Sequence, residues 1–264
     1  MKKLLAAICS LAVLACGALA FAGCAGDGKQ DLEYVKDKGT LVVGCTEFQP
    51  ITYLEGGEWK GFDVEFARAV GEKLGVEVEF QIIKWSNKVF ELNSKNIDCI
   101  WNGMTITEEL QEQTEVSSPY MRNQQVAVIR VEDKDKYTDQ DSIKDQKIVA
   151  ENGSAGAGFG EELSDQFVAI DTQVQVFTEL ENKSADIGIL DSVLAKYYLA
   201  TPAYEGKYVL VDMGFPTEEY GIAFRKDSNL CEAVNEALAE MFADGSMQEI
   251  ASAYGLESEL IEIK

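Results

Sequence analysis

The sequence predicts an α/β protein of two lobes, each a mainly parallel sheet flanked by helices. Three observations point there. From Thr40 onward, short apolar runs alternate with amphipathic stretches of helical period, the pattern of sheets covered on both faces. The alternation starts afresh near residue 147, after a long extended segment at 125–130. A second extended segment, near 219–224, mirrors the first and carries the chain back to its first half. Two crossings between two sheets leave a cleft, and in open α/β sheets ligands bind beyond the carboxyl ends of the strands. The expected boundaries are 40–124 plus 222–264 for the first lobe, 129–217 for the second, and 125–128 with 218–221 for the hinge.

Each element follows in order. "LVVGCT" at 41–46 is a continuous apolar run of the kind that fills a buried parallel strand. "GFDVEFARAVGEKLG" at 61–75 sets Phe62, Phe66, Val70 and Leu74 on one face, with Gly75 at the C-cap, so an amphipathic helix is expected. "VEVEFQII" (76–83) reads as a strand, "SNKVFELNSKN" (86–96) as a helix and "IDCIWNG" (97–103) as a strand. "QVAVIR" (125–130) is the first crossing. In the second half "KIVAE" (147–151) is a strand opening onto a glycine-rich loop, "NGSAGAGFG" (152–160). "FVAI" (167–170), "ADIGIL" (185–190) and "YVLVD" (208–212) are strands, with helices near 172–183 and 192–200. "YGIAFRK" (220–226) is the second crossing, and helices at 229–245 and 246–256 follow.

The start, MKKLLAAICSLAVLACGALAFAGCAGDGKQ, reads as a targeting segment. Lys2 and Lys3 precede the apolar run Leu4 to Ala22, and small residues follow at Gly23 and Cys24. A membrane span is the competing reading, since the run approaches the ~20 residues a span needs. The short basic start and "FAGC" favour a lipoprotein signal peptide over 1–23, with Cys24 lipidated and 24–39 as its tether; Cys16, in "VLAC", is the rival site. Cys45, Cys99 and Cys231 then remain, an odd set that suggests buried thiols and no disulfide framework. The chain contains no histidine, and its cysteines lack the paired spacing of a metal site, so neither metal nor cofactor is expected.

Cleavage before Cys24 removes Lys2 and Lys3 and no acid. The 23 basic residues fall to 21 against 46 acidic ones, and the net charge moves from −23 to −25. Such a surface repels nucleic acid and anionic headgroups. The acids are scattered among apolar residues, as in a globule and not a disordered tail.

"GFDVEFARAVGEKLG", "GMTITEE", "SSPY" and "ADIGILDSVLAKYYL", in this order and spacing, resemble the polar amino-acid-binding proteins of ABC importers, family 3 of the bacterial extracellular solute-binding proteins. The resemblance spans essentially all of residues 40–256. It implies a two-lobed periplasmic-binding-protein type II fold that closes on its ligand by hinge bending and delivers it to a membrane permease. Gram-positive members are typically lipoproteins, in keeping with Cys24. The expected setting is therefore the outer face of the cell membrane, with the protein acting as a monomer.

The resemblance also assigns residues. Phe48 and Trp85 stand where the family's aromatics sandwich the ligand side chain; a core role is the alternative, but Phe48 lies in the turn "TEFQP" and Trp85 at a strand end, which favours the cleft wall. Gly103 and Thr105 match its backbone and hydroxyl contacts, and Asn102 should face the same space. Gly153, Ser154 and Ala155 match the loop whose N–H groups meet the ligand carboxylate. As a nucleotide loop this stretch lacks the GxxxxGK[ST] pattern and its lysine. Asp191 matches the carboxylate that holds the α-ammonium group; its alternative role is to cap the helix from Ser192. "TITEE" can also start a helix with Thr107 as N-cap.

One position departs from the family. An arginine usually follows "TITEE" and grips the ligand α-carboxylate; here Leu110 stands there. Lys88 or Arg122 could supply the cation, backbone amides could suffice, or the ligand could lack a free α-carboxylate. Glu47, Glu151 and Asp191 gather near the expected cleft, and surplus acid there would favour a cationic or amine-rich ligand. The sequence favours a binding subunit with no catalytic residue. A dehydratase-like cleft enzyme on the same scaffold, with Glu151 as its acid, is the alternative.

Overall fold

The computed structural model describes residues 30–263. The targeting segment, Cys24 and the tether up to residue 29 lie outside the described residues. The first half runs α1 (Asp31–Lys38), β1 (Thr40–Cys45), β2 (Tyr53–Glu55), β3 (Glu58–Lys60), α2 (Phe62–Leu74), β4 (Glu77–Ile82), a 3-10 turn (Trp85–Asn87), α3 (Lys88–Asn93), β5 (Cys99–Thr105), α4 (Glu108–Gln113), β6 (Thr114–Val116) and β7 (Met121–Arg130). The second half runs α5 (Gln140–Ile143), β8 (Ile148–Glu151), α6 (Ala155–Leu163), β9 (Val168–Ile170), α7 (Gln175–Glu181), β10 (Ile187–Asp191), α8 (Ser192–Leu199) and β11 (Tyr208–Val211). Then β12 (Thr217–Arg225) returns, followed by α9 (Asn229–Asp244) and α10 (Ser246–Ala253).

The strands lie in the order β4-β1-β5-β12-β7-β10-β8-β9, with β6 on β12 and β11 on β7. β1 pairs in parallel with β4 and β5, and β8 with β9 and β10. Two mainly parallel sets are thus joined in the middle by an antiparallel pair. β7 and β12 pair with each other over Met121–Gln124 and Thr217–Tyr220. β7 then continues against β10 and β11, while β12 continues against β5 and β6. Each long strand therefore begins in the shared ladder and ends in a different set.

Local sequence explains the elements. Phe62, Phe66 and Val70 of α2 are buried, and Gly75 ends the helix at φ 77, its N–H donating to Glu72 and Gly71, as a left-handed C-cap does. Two segments differ from expectation. Part of the presumed tether is helix α1, held because Asp31 is buried and accepts from Arg225 Nε at 2.8 Å. The stretch expected as a glycine-rich loop becomes helix α6 after only three residues, since Ser154 caps it by accepting from Ala157 N. The glycines of α6 serve packing. A Cβ at Gly156 would lie 2.8 Å from Gln125 Oε1, and one at Gly160 would lie 2.5 Å from the Phe167 ring. Cys45, Cys99 and Cys231 are buried free thiols. Among the described residues no helix is long and apolar enough to cross a membrane.

Candidate functional site

The carboxyl ends of β1, β4 and β5 from one set, and of β8 and β10 from the other, open onto a cleft of about 1060 Å³. From the first set come Phe48, Trp85, Asn102, Gly103, Thr105 and Leu110. From the second come Glu151, Gly153, Ser154, Ala155 and Asp191. Glu47 does not join them. It is exposed while its neighbour Phe48 is buried, because successive residues of an extended segment point to opposite sides.

Phe48 packs edge-on to Tyr220, centroids 6.5 Å apart. Gly103, at φ 56, lets the chain pass under this ring: a Cβ there would stand 2.7 Å from it. Behind Gly103 sits Asp63, buried at the start of α2. It accepts from Gly103 N at 2.7 Å and from the Tyr120 hydroxyl at 3.0 Å, and burial pushes its carboxyl up to about 7. The Asn102 amide is held by its own side of the cleft. Its oxygen takes Thr46 Oγ1 at 2.9 Å, and its nitrogen donates to Thr46 O and Thr52 Oγ1, each at 3.0 Å.

Three carboxyl groups are buried on the cleft wall: Glu151, Asp191 and Glu218. Asp191 accepts from Tyr220 Oη at 2.8 Å, from Gln125 Nε2 at 3.0 Å, and from Asn123 and Gln173. Its side chain makes no cap bond to α8. Glu218 accepts from Thr105 Oγ1 at 3.0 Å, Gln125 Nε2 at 3.0 Å and Asn123 Nδ2 at 3.2 Å, so Asn123 and Gln125 bridge the two acids. Glu151 is less provided for: its Oε1 is buried without a partner. Burial, with Asp191 nearby, pushes the Glu151 carboxyl up to about 8. Burial and then Glu218 push Asp191 up to about 7. Glu218 is raised by burial.

Glu218 escaped sequence reading although a signal existed. Along β12 the alternation that buries Tyr220 also buries Glu218, an acid on the inward face of a crossing strand. Gln173, which reaches Asp191 from the turn before α7, carried no such signal.

The cation side is sparse. Leu110 lies at the third position of α4, its N–H donating to Thr107 Oγ1 at 3.2 Å. Its side chain joins Ile83 and Trp85 in an apolar cluster. Arg122 is exposed on β7 and does not line the cleft. Lys88 does line it, but its Nζ is directed to Gly153 O at 2.8 Å and lies over the Trp85 ring, 5.0 Å from the centroid. Burial lowers the Lys88 pKa, opposed by Glu151 and Glu109. The Lys88–Gly153 bond ties the two sides of the cleft together. Ser86 crowds the same point, its Cα 2.9 Å from where a Gly153 Cβ would be, and Gly153 has φ 77. Two expected backbone donors are engaged: Gly103 N with Asp63, and Ser154 N with Glu151 O at 3.0 Å.

A cleft between two α/β halves, with aromatic walls and strand-end carboxylates, is the architecture of a solute receptor. The sequence model of the bacterial extracellular solute-binding proteins, family 3, matches residues 41–257. The chain belongs to this family. The L-cystine-binding protein TcyJ of Escherichia coli is 28% identical over 229 residues, covering 84% of this chain and 85% of TcyJ. The arginine-binding extracellular protein ArtP of Bacillus subtilis is 30% identical over 249 residues, 91% of this chain and 94% of ArtP. A substrate-binding protein of an ABC uptake transporter from Streptococcus pneumoniae, solved with bound histidine, superposes with a TM-score of 0.81 at 29% identity. It covers 87% of this chain and 97% of that one. The fold is that of type II periplasmic binding proteins, and the relatives of this solute-binding chain are amino-acid-binding proteins.

Proposed function

We propose that the chain is the substrate-binding lipoprotein of an ABC importer, anchored through Cys24 on the outer face of the cell membrane. It captures a small polar solute, an amino acid or a close relative of one, between lobes 40–124 plus 222–264 and 129–217. It closes by bending at 125–128 and 218–221 and passes the solute to a permease as a monomer. The observation that supports this most is the meeting of Trp85, Thr105, Glu151 and Asp191 in one cleft, with residues supplied from both sides of the β7–β12 ladder.

The test is a thermal-shift screen of the purified chain against amino acids, their amides, polyamines and quaternary amines. A ligand at about 100 times its Kd adds ~2.7 kcal/mol, a shift of roughly 5–10 °C at this chain length. Failure of every amino compound to stabilise the protein would sink the reading.

One observation favours a second reading. A buried Glu151 carboxyl raised to about 8 is protonated at neutral pH, as a general acid must be. Recovery of a dehydrated product from the cleft, in place of intact ligand, would favour a dehydratase-like enzyme over a carrier.

A further inference from the structure

We infer that the cleft accepts a cationic amine or guanidine without a free carboxylate, its charged end among Glu151, Asp191 and Glu218 and its neutral end against Leu110. The inference rests on the binding-protein reading and narrows its ligand.

Charge is the first argument. Among the described residues, the acids Glu109, Glu151, Glu162, Asp191, Glu218 and Glu219 line the cleft, against Lys88 as the one Lys or Arg side chain in its wall. Lys88 is already committed to the Gly153 carbonyl and the Trp85 ring. A zwitterion would add a further anion to this wall. Glu151, Asp191 and Glu218 are the buried ones, and a cation among them would stabilise the charged forms that burial disfavours.

The second argument is an unmet acceptor. Asp191 and Glu218 are supplied with donors by Tyr220, Gln173, Gln125, Asn123 and Thr105, whereas Glu151 Oε1 is buried without one. Buried polar atoms are rarely left so. A ligand N–H in the cleft is the partner this oxygen is shaped for.

The opposite end argues by what it lacks. Where a carboxylate would need a fixed cation there is Leu110, part of the apolar cluster that also holds Trp85 and Ile83. The N–H groups of Gly103 and Ser154 are engaged within the protein. An α-carboxylate placed there would lose its water and gain no charged partner.

The test is calorimetry on the purified chain with matched pairs that differ only in the carboxylate: agmatine and arginine, cadaverine and lysine, histamine and histidine. The decarboxylated member of at least one pair should bind tighter by about tenfold or more. Glu151→Gln should weaken that amine by about tenfold while the protein keeps its folded melting transition. Leu110→Arg should shift preference back toward the parent amino acid. Parent amino acids binding more tightly in every pair would overturn the carboxylate-free inference and leave the carrier reading standing. Silence from all pairs and from the amino-compound screen would overturn both.

Discussion

Two buried groups of charge in this molecule are built in opposite ways. On one flank Arg225 accepts no competition: its Nε donates to Asp31 at 2.8 Å, its Nη2 reaches Asp98 at 3.5 Å, and its Nη1 meets the Leu92 and Ile97 carbonyls. Lys38 closes the set on Asp98. Two acids face two bases, and the donors find acceptors. In the cleft, Glu151, Asp191 and Glu218 are buried with amide and hydroxyl donors but no arginine, and Glu151 retains an unpartnered oxygen. A balanced buried cluster fastens chain segments together. An unbalanced one costs folding free energy unless something enters to complete it.

The largest expected effect comes from breaking the balanced group. Arg225→Met leaves Asp31 buried with no cation beside it and Asp98 with Lys38, and should cost about 3–5 kcal/mol, read as a lower denaturation midpoint in urea. A loss under about 1 kcal/mol would show that this cluster behaves like surface charge, and the contrast would fail.

The next effect has the opposite sign. The Glu151 carboxyl lies at about 8 in the fold, against 4.5 for the free side chain. The folded state therefore holds its proton longer, so stability is intact below about pH 4.5 and falls as pH rises toward 8. Without ligand, Glu151→Gln should flatten that decline and gain roughly 1–3 kcal/mol at pH 8. Melting temperatures of both proteins from pH 5 to 8 test it; parallel curves would refute the burial argument.

Lys88→Met should do least to stability, about 1 kcal/mol, because it removes one good bond, to the Gly153 carbonyl, and one long one, to the Trp85 carbonyl. It should nevertheless drive the Glu151 proton affinity still higher, since Lys88 is the charge that opposes the rise. A carboxyl titration by NMR reads this directly, and an unmoved Glu151 would mean that Lys88 does not face it.

The same contrast marks what the sequence could reveal. Period carries the fold: the fourfold spacing of Phe62, Phe66 and Val70, and the apolar runs at β1 and β10, lie within a residue or two of where they were expected. Helix α1 was hidden because its polar surface looks like a tether, and partners 194 to 197 residues away in sequence, Arg225, Ser228 and Asn229, are what fix it. Glycines concealed α6 because their use is close approach to Gln125 and Phe167, a property of neighbours and not of spacing. In the site, Asp191 and the anomaly at Leu110 could be read from matching motifs, and Glu151 from its place just before the glycine-rich stretch. Their relation to Glu218 could not, since that acid arrives on β12 from the far side of the chain. Glu47 misled because adjacency in sequence places it near Phe48 without turning it inward.

Asp31 opens α1 and is clamped to Arg225 near the end of β12, so the N-terminal segment is riveted to the half of the molecule that holds Phe48 and Trp85. Any load arriving from upstream of residue 30 is borne by that half. The half carrying Glu151 and Asp191 lies across the β7–β12 ladder from this attachment, so the mooring and the acid wall of the cleft stand on opposite sides of the shared strands.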